Sequence, residues 1–318
     1  MTDRRRFISG ALAGGLAATG LSACGGGSAK HGGPLLVLVP GSLHSSFCWA
    51  RVTPYLVMSG LRVLAIDLPG TGLNARFPVS AYARPFDSAA YLSEVSPDAS
   101  ITLADYVNSV GNLVDQLHQA DEGPIVLVGH SLGGLTLNAV GESRSSKIAG
   151  LIYLSGVMIG NNESLIPDLF SKPGFGDSYI AQGRTGGIGD PAVIGASRVD
   201  LNTPDPQVRA TIKAAYCADA SDADFAAWAN MLVTDDPVAP LTAKIALTAK
   251  NWGSLRRAYI KCSMDHIVPP TLADSLIAAA DAFTPKNKTV VRTLESSHSS
   301  FLSKPKELAA ILADLVGS

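Results

Sequence analysis

Cysteine is scarce in this chain, with four residues in 318. No spacing of Cys and His matches a metal-ligand pattern, which argues against a zinc site. Basic clusters are missing beyond the first few residues and the formal net charge is only −2, so the electrostatic footprint of a nucleic-acid binder is absent. Charged residues make up just 16% against 47% hydrophobic, the composition of a chain that buries a core and not of a disordered one. One large domain with an excursion or lid is expected, binding a small ligand without strong charge. Internal repeats and low-complexity tracts are absent beyond the N-terminal region.

The first residues read as an address. Arg4, Arg5 and Arg6 precede Phe7, Ile8 and a run of Ala, Leu and Gly that is too short and interrupted to span a bilayer. This resembles a twin-arginine export signal. Leu21-Ser22-Ala23-Cys24 is similar to a bacterial lipobox, which makes Cys24 the expected lipidation site and residues 1–23 a removable signal. A plain secretory signal cleaved nearby is the alternative. Two acyl chains on one glycerol satisfy the two-signal requirement for stable anchoring. Residues 24–33 then form a Gly-rich tether, reaching on the order of 15–18 Å as a random coil. Three cysteines follow, an odd number; Cys48 and Cys262 read as buried thiols.

From Pro34 onward, short β-branched runs alternate with helical stretches. LLVLVP (35–40), RVLAID (62–67), IVLVGH (125–130), IAGLIYLSG (148–156), RAYIKCS (257–263) and KTVVRTLE (288–295) mostly lack polar alternation, as strands buried on both faces do. Residues 104–119 carry Tyr106, Val110, Leu113, Val114 and Leu117 at helical spacing. The order predicts an α/β fold with a mainly parallel central sheet flanked by helices. Its core spans 34–156 and 257–318, and residues 157–256 form a cap or lid. Phe225, Trp228, Met231 and Leu232 recur at helical spacing, so the cap is expected to be helical. Residues 72–100 are a second, Pro-interrupted excursion.

Gly129-His130-Ser131-Leu132-Gly133 fits G-x-S-x-G between a strand and a helix, the context in which that motif forms a nucleophile elbow. Side chains at 129 and 133 would clash across a tight, strained turn. The simpler alternative makes Ser131 a helix N-cap. A hydroxyl needs a base. Of the six histidines, His31 lies in the tether, His118 on a helix and His130 in the elbow, while His44 and His266 stand before the position that the order Ser, acid, His requires. His298, in a loop after the last strand, fits. Asp265 follows the preceding strand and fits the acid; Glu163 is its rival, and Asp67 reads as structural. The N–H groups of Leu132 and Ser42 are the expected oxyanion donors. The pocket is expected to draw on Gly41, Leu43, His44, Phe225 and Trp228. No metal and no cofactor are expected, and the partner is a small-molecule ester.

VLVPGSLHSSFCW, DLPGTG, VGHSLGG, WGSLRRAYIKCSMDHIVPP and SSHSSFLSKPKELAAIL together resemble the α/β-hydrolase superfamily, in the branch of plant methyl esterases and hydroxynitrile lyases. The resemblance runs from about residue 34 to the end, outside 72–100 and the first half of the cap. It implies Ser131, Asp265 and His298 as a triad. The lyases of that branch carry threonine where this chain has Gly41 and lysine where it has Ser299, so the resemblance implies ester (or lactone) cleavage. Pro40 departs from the histidine usual in the esterases. Two other readings use the same residues: C–C cleavage or cofactor-free peroxidation on this scaffold, and a ligand-binding lipoprotein with a slow triad. An exported, lipid-anchored serine esterase is the expectation.

Overall fold

The computed structural model describes residues 32–201 and 203–317; the signal, Cys24 and nearly all of the tether lie outside them. Nine strands are present among the described residues: β1 (Leu35–Val39), β2 (Arg62–Ala65), β3 (Ile125–His130), β4 (Gly150–Leu154), β5 (Gly187–Ile188), β6 (Ala196–Val199), β7 (Asp235–Pro237), β8 (Arg256–Cys262) and β9 (Val290–Leu294). Six of them form one sheet in the order β2-β1-β3-β4-β8-β9, with every neighbouring pair parallel. These are the six runs read from the sequence, trimmed at their ends.

The missing polar alternation has its cause in two cores, one on each face of the sheet. Val37, Val39, Leu127 and Tyr153 point to one face, while Leu36, Leu38, Val128 and Leu154 point to the other. Burying each such side chain contributes roughly 1.5–3 kcal/mol, and the interior strands β1 and β4 are accordingly apolar on both faces. The edge strand β9 is mostly exposed or half-buried and can carry Arg292. The helix Leu103–Gln119 starts at Thr102, whose hydroxyl accepts from the Asp105 N–H while the Asp105 carboxylate caps Thr102 in return. It buries Tyr106, Val110 and Val114 against the first core, as its spacing predicts.

The cap departs from expectation. Between helices it contains a three-stranded antiparallel sheet in the order β5-β6-β7, with strands of only two to four residues. Runs that short carry no readable periodicity. A buried ion pair joins two of them: Arg198 Nε and Nη2 donate to the two Asp235 oxygens, both at 2.7 Å. The helix expected through Leu232 spans Asp222–Ala229, N-capped by Ser221, and Met231 lies beyond it, 56% exposed.

Candidate active site

Ser131 sits directly after β3, where the chain turns into the helix Gly133–Ser143. Its φ is +49°, in the left-handed region that a residue with a side chain occupies only when its surroundings force it. Here the forcing is visible. Ser131 N–H donates to Leu154 O of β4 at 3.1 Å, and its carbonyl accepts from Val157 N–H at 2.9 Å and Gly134 N–H at 3.0 Å. A Cβ on Gly133 would stand 2.6 Å from Pro40 O, and one on Gly41 would stand 2.8 Å from Ser131 Cβ. Those two glycines let the loop after β1 lie directly against the elbow.

That loop carries Ser42. Among the described residues, the backbone N–H groups of Ser42 and Leu132 have no hydrogen-bond acceptor, the state expected of donors that await an oxyanion. His44 fastens the loop: its Nδ1–H donates to Ser42 O at 2.7 Å, and its Nε2 accepts from Trp228 Nε1–H at 3.0 Å. Burial lowers the His44 pKa to about 4, against the Ser42 hydrogen bond and with help from nearby His298. The ring is therefore neutral near pH 7, with its two nitrogens committed.

Asp265 follows β8 and His298 follows β9, on loops at the same edge of the sheet as the elbow. His298 Nδ1–H donates to Asp265 Oδ2 at 2.8 Å. The other carboxylate oxygen accepts from Ile267 N–H at 2.7 Å and Val268 N–H at 2.9 Å. Both side chains are buried. His130 braces the far side of the pair: its ring lies 4.6 Å from that of His298, and its Nε2–H donates to His298 O at 3.2 Å. Burial, and secondarily the neighbouring histidines, hold His130 well below its ordinary pKa. Glu163 is occupied elsewhere, paired with Lys172 and accepting from Gly160 N–H. Asp67 accepts from Ser46 N–H and from Leu73 N–H in the loop after β2. His266 bonds Ala214 O, and His118 is exposed at a helix end.

Ser42, Leu43, His44, Ser131, Leu132 and His298 line one cavity of about 250 Å³. Ser131 Oγ makes no hydrogen bond among the described residues, and Ser131 and His298 both line the cavity. Much of the remaining lining is apolar and comes from the cap, including Leu165, Ile166, Leu169, Phe170, Phe175 and Leu241. Gly41, Phe225 and Trp228, expected in the pocket, are not among its lining residues. Gly41 lies behind the elbow, while Phe225 and Trp228 join the second core, where Trp228 supports His44. The wall's sequence signal was the LIPDLF stretch (165–170), whose apolar residues stand in a Pro-containing loop without periodicity. A hollow of about 400 Å³ at the opposite ends of the strands, beside Pro34, Pro124 and Arg256, has no Ser, Cys or His in its lining. No cluster of three or more His, Cys, Asp or Glu suited to a metal occurs among the described residues. Cys48, Cys217 and Cys262 are free and buried.

A parallel sheet with an elbow serine after a central strand, and an Asp–His pair on the loops after its last two strands, defines the α/β-hydrolase class. The chain belongs to the alpha/beta hydrolase family, whose model matches residues 36–311. It is 26% identical over 283 residues to putative methylesterase 11, chloroplastic, of Arabidopsis thaliana, covering 88% of this chain and 63% of that protein. It is 25% identical over 286 residues to methylesterase 3 of the same plant, covering 88% and 95%. The chain spans 63%, 56% and 55% of the length of putative methylesterases 11, 15 and 13. Among solved structures, a pyrethroid hydrolase from Sphingobium faniae JZ-2 has the same fold with a TM-score of 0.64 at 20% identity, covering 90% of this chain and 98% of that one. An Arabidopsis methylesterase superposes with a TM-score of 0.62 at 21% identity, covering 89% and 98%.

Proposed function

We propose that this chain is a serine hydrolase that cleaves a carboxylic ester or lactone through an acyl-enzyme. The observation that carries the reading is the buried Asp265–His298 hydrogen bond beside a cavity that Ser131 shares. The methylesterases among its relatives support esters as the substrate class. Ser131 Oγ attacks the carbonyl carbon and its proton passes to His298 Nε2. The Ser42 and Leu132 N–H groups stabilise the oxyanion. His298 then gives that proton to the departing alkoxide, and water, deprotonated by the same imidazole, cleaves the acyl-serine. Asp265 holds the imidazole with Nδ1 protonated, so that Nε2 is free to accept. The cavity is smaller than the roughly 300–1,000 Å³ of drug-sized sites, which favours short acyl and alkoxy groups.

The reading extends to location: residues 1–23 direct export and Cys24 carries the lipid that holds the enzyme at the cell envelope. The support is the Arg4–Arg5 pair and the Leu-Ser-Ala-Cys ending.

The test is fluorophosphonate labelling together with a chain-length series of nitrophenyl esters. Wild-type protein should label and favour short acyl chains, and Ser131→Ala should do neither while keeping its fold. Turnover by the alanine variant within about tenfold of wild type would remove Ser131 from the mechanism.

A further inference from the structure

The cavity holds one acid that the mechanism above does not use. Asp236, on β7 opposite Ser197 of β6, lines the cavity and is more than nine-tenths buried. Its Oδ2 accepts from the Ser42 hydroxyl, whereas its Oδ1 accepts nothing among the described residues. Oδ1 is not sealed in protein either, since the fully enclosed, unpartnered side-chain atoms all belong to other residues. The neighbouring Asp235 is a contrast, with both oxygens bonded to Arg198. No lysine or arginine lines the cavity, and His44 is neutral there.

We propose that Asp236 is a substrate-recognition residue, whose free carboxyl oxygen accepts a hydrogen bond from a hydroxyl or ammonium group carried close to the scissile carbonyl. Closeness follows from connectivity: the carboxyl is bonded to the side chain of Ser42, the residue whose N–H faces the oxyanion in the proposed reaction. Burial raises the Asp236 pKa to about 6, against the Ser42 hydrogen bond, and Asp235 adds to the rise. In its ionised form the group would make a charge-assisted bond with a donor from the substrate. A carboxyl whose whole task was to hold Ser42 would not leave its second oxygen open to the cavity.

The proposal rests on the ester-hydrolase reading, and its test separates the two. Three phenyl esters of matched size are compared: the butyrate, the β-hydroxypropionate and the β-alanine ester, which end in methyl, hydroxyl and ammonium. Hydrogen bonds to charged groups imply that wild type favours at least one donor ester over the butyrate by roughly tenfold or more in kcat/KM. Asp236→Leu should collapse that ratio. Asp236→Asn, the closer isostere, should reduce it roughly tenfold for the ammonium and less for the hydroxyl. No donor preference in wild type, or equal losses on all three esters in both variants, overturns the proposal; equal losses would leave Asp236 as a support for Ser42 alone. If no ester were hydrolysed, the functional reading would fail. Calorimetric binding of phenethylammonium and phenethyl alcohol to the Ser131→Ala protein then still reports on Asp236. Weakening of either by Asp236→Leu supports recognition, and unchanged affinity for both refutes it.

Discussion

Replacing Asp265 by Asn exchanges one oxygen for an NH2 group, and the hydrogen bonds around it dictate which way the amide faces. Oδ1 accepts from two backbone donors, Ile267 and Val268 N–H, while Oδ2 serves only His298. Turning the NH2 toward the backbone would leave two buried N–H groups unpaired, at about 1–3 kcal/mol each. Turning it toward His298 sacrifices one acceptor. The amide oxygen therefore stays with the backbone, and the NH2 confronts His298 Nδ1. That nitrogen must become an acceptor, which moves the imidazole proton to Nε2, the atom that should take the proton of Ser131. The base is then present in the wrong tautomer. On the proposed mechanism, a loss on the order of 10³–10⁴ in kcat is expected by analogy with known serine triads, equal to about 4–5.5 kcal/mol of barrier. KM and the unfolding midpoint should change little, because the fold and the oxyanion donors are untouched. The assay is steady-state hydrolysis of a short nitrophenyl ester, with imidazole tautomers read by nitrogen NMR. Turnover within about tenfold of wild type, or an imidazole that keeps its proton on Nδ1, would refute the reasoning.

Gly133→Ala should destabilise the fold by about 1–3 kcal/mol, because its Cβ would meet Pro40 O at 2.6 Å, and it should slow turnover by moving the loop that carries Ser42; urea unfolding and kcat check both, and unchanged values would speak against the close approach. Two buried groups give opposing pH effects. Asp236 keeps its proton in the folded state to about 6, against an ordinary 3.8, so its contribution falls as pH rises through that window, by about 3 kcal/mol in all. His44 holds no proton in the folded state until about 4, against an ordinary 6.5, so its contribution falls as pH drops, by a similar amount. The two offset in wild type; Asp236→Asn leaves His44 uncompensated and should lose stability more steeply on acidification, whereas parallel unfolding midpoints would count against it. Cys24→Ser should release the protein from the membrane fraction with hydrolysis of a soluble ester unchanged per mole. Fractionation and the intact mass of the mature N-terminus test this, and an unmodified Cys24 in the native protein would dismiss the anchor.

The six parallel strands were legible because a strand buried on both faces leaves a mark that needs no partner to read: a short, continuous apolar run. The helix Leu103–Gln119 was legible for the same kind of local reason, apolar residues at helical spacing; its capping pair appeared only in the structure. The elbow also announces itself, since a strained turn packed against two strands demands small residues at fixed offsets from Ser131. Chain order then singled out Asp265 and His298 from the other acids and histidines.

The cavity wall was decided elsewhere. Phe225 and Trp228 have the spacing of a pocket helix, yet a helix shows its partner only after folding, and theirs is the second core and His44. Leu165 to Phe175 reach the cavity along a segment whose course depends on hydrogen bonds between distant residues, among them Ile166 N–H to Leu241 O and the Ser178 hydroxyl to Ile267 O. Asp236 lies 194 positions from the serine whose hydroxyl it accepts, on a three-residue strand that no periodicity could reveal. Local pattern determined the sheet, the elbow and the order of the candidate residues, because backbone geometry imposes it over a few neighbours. Which side chains face the ligand depended on contacts far apart in the chain, which exist only once the cap has closed over the strand ends.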